Sequence, residues 1–279
     1  MGSSHRSIAS FLGVSVSLKQ TSRWIRRFQI LAFGVIVFPV LWDPRAYLET
    51  KIDPNLNPGN FFRTIAALNP LRHLELTVFG LVAWILLALT LATLSLRRSF
   101  KALCILSWVM WLCLVDLHGS IHDVSIGFMG WMMAVMAWMH PDDRDYGKKQ
   151  KAMAPVALWV FGLTYTASGL TKWIYGPSWG SGHAFRFILE NDLFVRPLFS
   201  GKIPDEWHAV FQVLTWGALG VEVLALPGVL WVRTRKATWV ALTALQLGLA
   251  AIFDFGSLNF VLLVFHLWVA DLQNWAKAR

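Results

Sequence analysis

An all-helical, multi-pass membrane bundle of about eight spans is the fold class this sequence predicts. Three observations predict it. Hydrophobic residues make up 56% of the 279 positions, with 16 Trp and 19 Phe. Several runs of roughly 17–22 residues are nearly free of charge, the length that crosses a hydrocarbon core. Basic residues gather in the short connections between those runs. The alternating ten-residue segments of a membrane β-barrel are absent from the pattern. A net charge of +9 would point a soluble chain towards nucleic acid. Here the basic residues flank apolar runs and set orientation, so membrane lipids rather than nucleic acid are the expected partners.

Residues 1–23 read as a polar cytoplasmic tail, residues 24–270 as the membrane domain and residues 271–279 as a second tail. The first span is Phe28–Trp42, preceded by Arg23, Arg26 and Arg27 and closed by Asp43-Pro44. No small-x-small cleavage site follows it, so it reads as retained. A polar connection with Pro54, Pro58 and Pro70 leads to the second span, Leu76–Leu96. Arg97, Arg98 and Lys101 turn the chain into the third, Ala102–Val115, and Val124–Met139 is the fourth. Lys148, Lys149 and Lys151 form a basic loop before the fifth, which runs from near Pro155 to Lys172. Within the second long connection, His183–Asn191 has the pattern of a short amphipathic helix with Phe185, Ile188 and Leu189 on one side. Ala209–Trp231, Ala237–Phe253 and Leu258–Val269 complete the eight. Every short loop then agrees with the positive-inside rule, with both termini cytoplasmic. Cys104 and Cys113 lie nine residues apart in one predicted helix, on opposite faces, which excludes a disulfide between them.

Lys172 stands out, because an ammonium in or near hydrocarbon costs several kcal/mol unless it snorkels, pairs or loses its proton. Tyr165, Ser168 and Lys172 share a helix face at about 100° per residue. Small residues beside them, Ala167 and Gly169, let a neighbour come close. Gly176-Pro177 then stops the helix, and Trp173 and Trp179 suit an interface. A snorkelling lysine at a helix end is the plain alternative. Glu222, mid-span, must pair or be protonated. Gln246, a histidine or backbone freed by Pro227 are its structural partners, against a proton-handling role. His118 and His122, at i and i+4, either bond Asp116 and Asp123 or face the same cavity as Lys172; the glutamate of a metalloprotease motif is missing, and no metal site is expected.

The blocks Tyr165…Ser168-Gly169-Leu170-Thr171-Lys172-Trp173, Trp179-x-x-Gly182 and Leu193-Phe194-x-x-Pro197 resemble the HTTM proteins, bacterial relatives of the membrane domain of vitamin K-dependent gamma-carboxylase. Ile121-His122-Asp123-Val124 and Val221-Glu222-Val223 are similar to further segments of that family. The resemblance implies Lys172 as a base towards a reduced quinone and His122 as its catalytic partner. Tyr165, Ser168, Trp173, Trp179 and Glu222 would line the substrate. The family's paired lysines are here Thr171-Lys172, and Gln246 stands where a seventh-span histidine is expected. The chain stops after the eighth span, so a separate protein presenting the substrate is expected as a partner. Two functions stand open: a quinol- or lipid-linked enzyme of a bacterial inner membrane, and a non-catalytic membrane subunit or assembly factor. A transporter is a third, weakened by the lack of an internal repeat.

Overall fold

A computed structural model describes residues 17–49, 69–74, 76–117, 125–190, 195–196, 205–253 and 256–277. Its helices fall into two compact units, one drawn from residues 8–146 and the other from residue 147 onward.

In the first unit, α1 (Leu18–Trp42) starts at Ser17, whose hydroxyl accepts from the Gln20 amide, and ends at Asp43. Pro44 then opens the short α2 (Pro44–Glu49). Helix α3 (Val78–Leu94) is capped by Thr77 accepting from the Gly80 amide, which satisfies one of the orphan N–H groups of a helix start. Helices α4 (Leu103–Leu117) and α5 (Ser125–Trp138) follow. Helix α1 packs on α3 and α5, α3 on α4, and α4 on α5, closing a four-helix ring. Ala32, Phe33, Leu81, Ile85, Trp111, Met129, Met132 and Met133 fill its core; unbranched methionines adapt to the gaps between aromatic rings. Two interhelical hydrogen bonds fix the register: Ser107 Oγ donates to Ala88 O at 2.8 Å, and Trp84 Nε1 to Met110 O at 2.8 Å.

Arg26 is the first unit's most demanding residue, a guanidinium only 4% exposed. It donates to Met136 O, Met139 O and Ser95 O at 2.8, 3.0 and 2.8 Å. These are the last carbonyls of α5 and α3, which have no partners within their own helices. A cation there also meets the negative ends of two helix dipoles.

The second unit contains α6 (Tyr146–Tyr175) from residue 147, α7 (Pro177–Gly180), α8 (Ala184–Glu190), α9 (His208–Val223), α10 (Ala225–Leu230), α11 (Arg235–Ile252) and α12 (Ser257–Lys277). Helix α9 packs on α7, α8 and α11; α11 packs on α10 and α12. Phe161 of α6 meets Phe265 of α12 at 5.9 Å between ring centroids. The amphipathic segment expected after His183 forms as α8: Leu189 is buried with Val195 and Phe253, and Phe185 and Ile188 pack on them.

The all-helical class holds; the eight-span membrane bundle does not. Among the described residues, two helices, α1 and α6, are long and apolar enough to cross a membrane by length and composition. An eight-span inner-membrane protein with the HTTM architecture needs eight, so that fold and the multi-pass placement built on it are corrected here. The physical reason is that apolar runs are not helices. The third and fourth runs give helices of 15 and 14 residues, about 22 Å at 1.5 Å per residue, against a hydrocarbon core of about 30 Å. The sixth breaks at Leu224 into helices of 16 and 6 residues. Helices α11 and α12 carry polar side chains along their length, among them Gln246, Asn259, His266 and Asp271, all buried. In the other direction, α6 begins nine residues before Pro155, so Lys148, Lys149 and Lys151 lie on its first turns and not in a loop.

Candidate functional site

Close helix packing creates the site in the second unit. Gly162 and Gly169, seven residues apart, lie on one face of α6. A Cβ at Gly169 would sit 2.8 Å from Val223 N and 2.9 Å from Glu222 Cβ; one at Gly162 would sit 2.8 Å from Leu226 Cα. Glycine alone permits this approach, which brings α6 against the junction of α9 and α10. Between the two glycines, Thr166 enters the helix break at Leu224. Its hydroxyl donates to Val223 O at 3.2 Å and accepts from the Leu226 amide at 2.9 Å.

One turn beyond Gly169, Lys172 Nζ lies 2.6 Å from both Oε1 and Oε2 of Glu222. The Glu222 side chain is 5% exposed and that of Lys172 is 29% exposed. The carboxylate is therefore sealed, and the amine is its link to the exterior. Helix α6 ends where Gly176 N–H closes on Lys172 O at 2.9 Å. The turn through Pro177 then swings Trp179 back, with its ring centroid 4.8 Å from Lys172 Nζ. A cation over an indole face gains electrostatically. The ion pair and the ring together hold the ammonium on two sides.

Deeper in the same unit, the Tyr165 hydroxyl lies 2.7 Å from His266 Nε2, and the opposite ring nitrogen lies 2.8 Å from Thr243 Oγ1. Thr243 gives its proton to Trp239 O at 2.7 Å. Only its lone pairs then face the ring, so His266 Nδ1 carries the hydrogen, and Nε2 accepts from Tyr165. The result is a directed chain, Tyr165 to His266 to Thr243 to the Trp239 carbonyl, within a wholly buried imidazole. The Glu222 carboxylate is within electrostatic reach of the Tyr165 phenol.

Of the residues expected from sequence, Lys172, Glu222 and Trp179 meet directly, and Tyr165 lies behind them. Ser168 is half-buried on the same helix. Trp173 is 58% exposed and takes no part in the ion pair. His122 and His118 lie outside the described residues. Glu222 does not use Gln246, which instead donates to Asn259 Oδ1 at 3.3 Å. Sequence reasoning missed His266, Thr243 and Thr166. A lone titratable residue inside the run Leu258–Val269 was the available signal for His266.

The chain matches no protein-family model, no curated protein and no solved structure. With two helices of spanning character among the described residues, this overturns the resemblance to the HTTM and vitamin K-dependent carboxylase class. The motif blocks that carried it are short, and the Leu193-Phe194 block falls outside the described residues. The quinol-linked membrane enzyme inferred from that class, and the membrane-subunit alternative, are withdrawn with it.

Proposed function

We propose that the second unit is a proton-exchange centre for a small molecule bearing an acidic proton, with Lys172 as its base and Glu222 as its proton store. The observation that supports it is the pairing of a sealed carboxylate with a partly exposed amine at 2.6 Å. A proton moved from Nζ to the carboxylate neutralises both groups and adds no net charge to the interior, which avoids the desolvation cost of an isolated ion. The free amine then takes a proton from the bound molecule and returns to the ammonium form, leaving the ligand as an anion beside a cation. Trp179 provides a wall over which that ligand lies, and Ser168 a hydroxyl on the same face of α6.

The test separates a base from a clamp. Arginine at position 172 preserves the charge and can bridge both carboxylate oxygens, but a guanidinium does not act as a base at cellular pH. Expressed in a strain lacking the gene, Lys172→Arg should reach normal abundance and fail to restore the lost phenotype. Complementation by Lys172→Arg, or by an apolar pair made by Lys172→Met with Glu222→Leu, would reduce the pair to a structural role.

A further inference from the structure

The first unit gathers a strongly basic surface at one end. Lys19 and Arg23 of α1 converge on Asp142, at 3.2 and 2.5 Å. Arg98 and Lys101, from the turn between α3 and α4, converge on Asp143, at 3.1 and 2.7 Å. Each carboxylate thus meets two cations, and the group retains positive charge. Arg27 and Arg97 are exposed on the same elements and make no ion pair among the described residues. Arg26 ties those elements to one another from within, through Ser95, Met136 and Met139.

The outer face of α1 continues from this basic end as an apolar stripe. Trp24, Phe28, Leu31, Phe38 and Trp42 are 49%, 39%, 53%, 55% and 79% exposed. At about 100° per residue they fall on one side of the helix, opposite the buried Phe33, Ile36, Val37 and Val40. Arg27 stands over the Trp24 ring at 4.6 Å, where stripe and basic group meet. Phe100, 45% exposed, adds an aromatic residue on the neighbouring turn.

We infer that this end of the first unit docks on an anionic phospholipid surface, with the arginines and lysines at the headgroups and the stripe of α1 against the acyl chains. Charge complementarity selects the headgroup, and each basic residue near such a surface contributes about 1 kcal/mol. The apolar stripe decides between a bilayer and a nucleic acid. A phosphate backbone offers nothing to bury five large apolar side chains along one helix face, whereas a lipid interface rewards aromatic residues at its boundary and apolar ones beyond.

The experiment uses the full chain in a neutral detergent, titrated with phosphatidylglycerol or phosphatidylcholine and read by native mass spectrometry. Phosphatidylglycerol should bind in preference, and the preference should collapse as ionic strength rises. Arg27→Gln and Arg97→Gln should each lower phosphatidylglycerol affinity about fivefold. The charge-matched control, Arg45→Gln, exposed on α2 beyond the far end of α1, should leave it unchanged. Equal binding of the two lipids by the unmodified chain overturns the inference. So does a preference that the two arginine substitutions leave intact, or tighter salt-dependent binding to duplex DNA than to the anionic lipid. If an arginine variant does not fold, the salt dependence of the unmodified chain decides alone.

Discussion

Glu222 and Lys172 set the residue-scale energetics of the second unit. The carboxylate gives up nearly all of its water, and two contacts from one ammonium replace that hydration. Such a pair contributes little net stability, but removing one member strands the other. Lys172→Met should therefore destabilise the unit by roughly 3 kcal/mol, and Lys172→Met with Glu222→Leu should recover most of that loss. Denaturation midpoints of the single and double variants check this, and equal midpoints would contradict it. Gly169→Ala tests the approach that builds the pair. The added methyl meets Val223 N and Glu222 Cβ below 3.0 Å, so α6 must move away, at a cost of about 1–3 kcal/mol.

At the scale of elements, helix ends carry the first unit. Arg26 serves the carbonyl ends of α3 and α5, and His140 closes the same region. His140 Nε2 lies 2.8 Å from Leu96 O, and Nδ1 accepts from the Asp142 amide at 3.1 Å. Both ring nitrogens are thus committed in the neutral form. Burial is the largest influence and lowers the His140 pKa from its ordinary value. The unfolded chain then binds that proton more readily than the folded one, so stability rises with pH across the window between the two values. The first unit should lose stability as pH falls below about 6.5, and His140→Gln should flatten that slope. A second loss should follow below about pH 4. There Asp142, held below its usual range chiefly by the hydrogen bond from Arg23, takes up its proton. Thermal melts between about pH 2 and 8, followed by hydrogen exchange in α1 and α5, give both slopes. Arg26→Gln should lower the melting temperature at every pH, because it frees carbonyls and not a titrating group.

For the whole molecule, composition made the helical class legible and hydropathy placed most helices within a few residues. It misjudged what those helices are. Run counting treated Ala209–Trp231 as one span, although the chain breaks at Leu224. It assigned Lys148 to a loop, although that lysine rides on a helix. The core of the candidate site was partly readable. Lys172 and Glu222 stood out because charges are costly inside apolar helices, but their partnership, fifty residues apart, has no local signature. His266 left only a weak one. The exposed surface carries a consequence at this scale. Trp42, Phe79, Tyr175 and Val232 are each at least 75% exposed, and apolar surface of that kind seeks cover. In buffer without amphiphiles the purified chain should self-associate at micromolar concentration, and sedimentation velocity should show the association vanish when a mild detergent is added.

Thr166 also governs how the unit can move. Where the peptide direction changes at Leu224, a single hydroxyl from another helix stands in for a missing backbone carbonyl, bonding Leu226 N–H and Val223 O together. Thr166→Val keeps the shape but removes both bonds. The two half-helices would then be joined by a swivel and not a brace. Rapid deuterium uptake at residues 224–228, with neighbouring turns still protected, would register that swivel, and the Glu222 end of α9 would be the first part of the site to drift from its lysine.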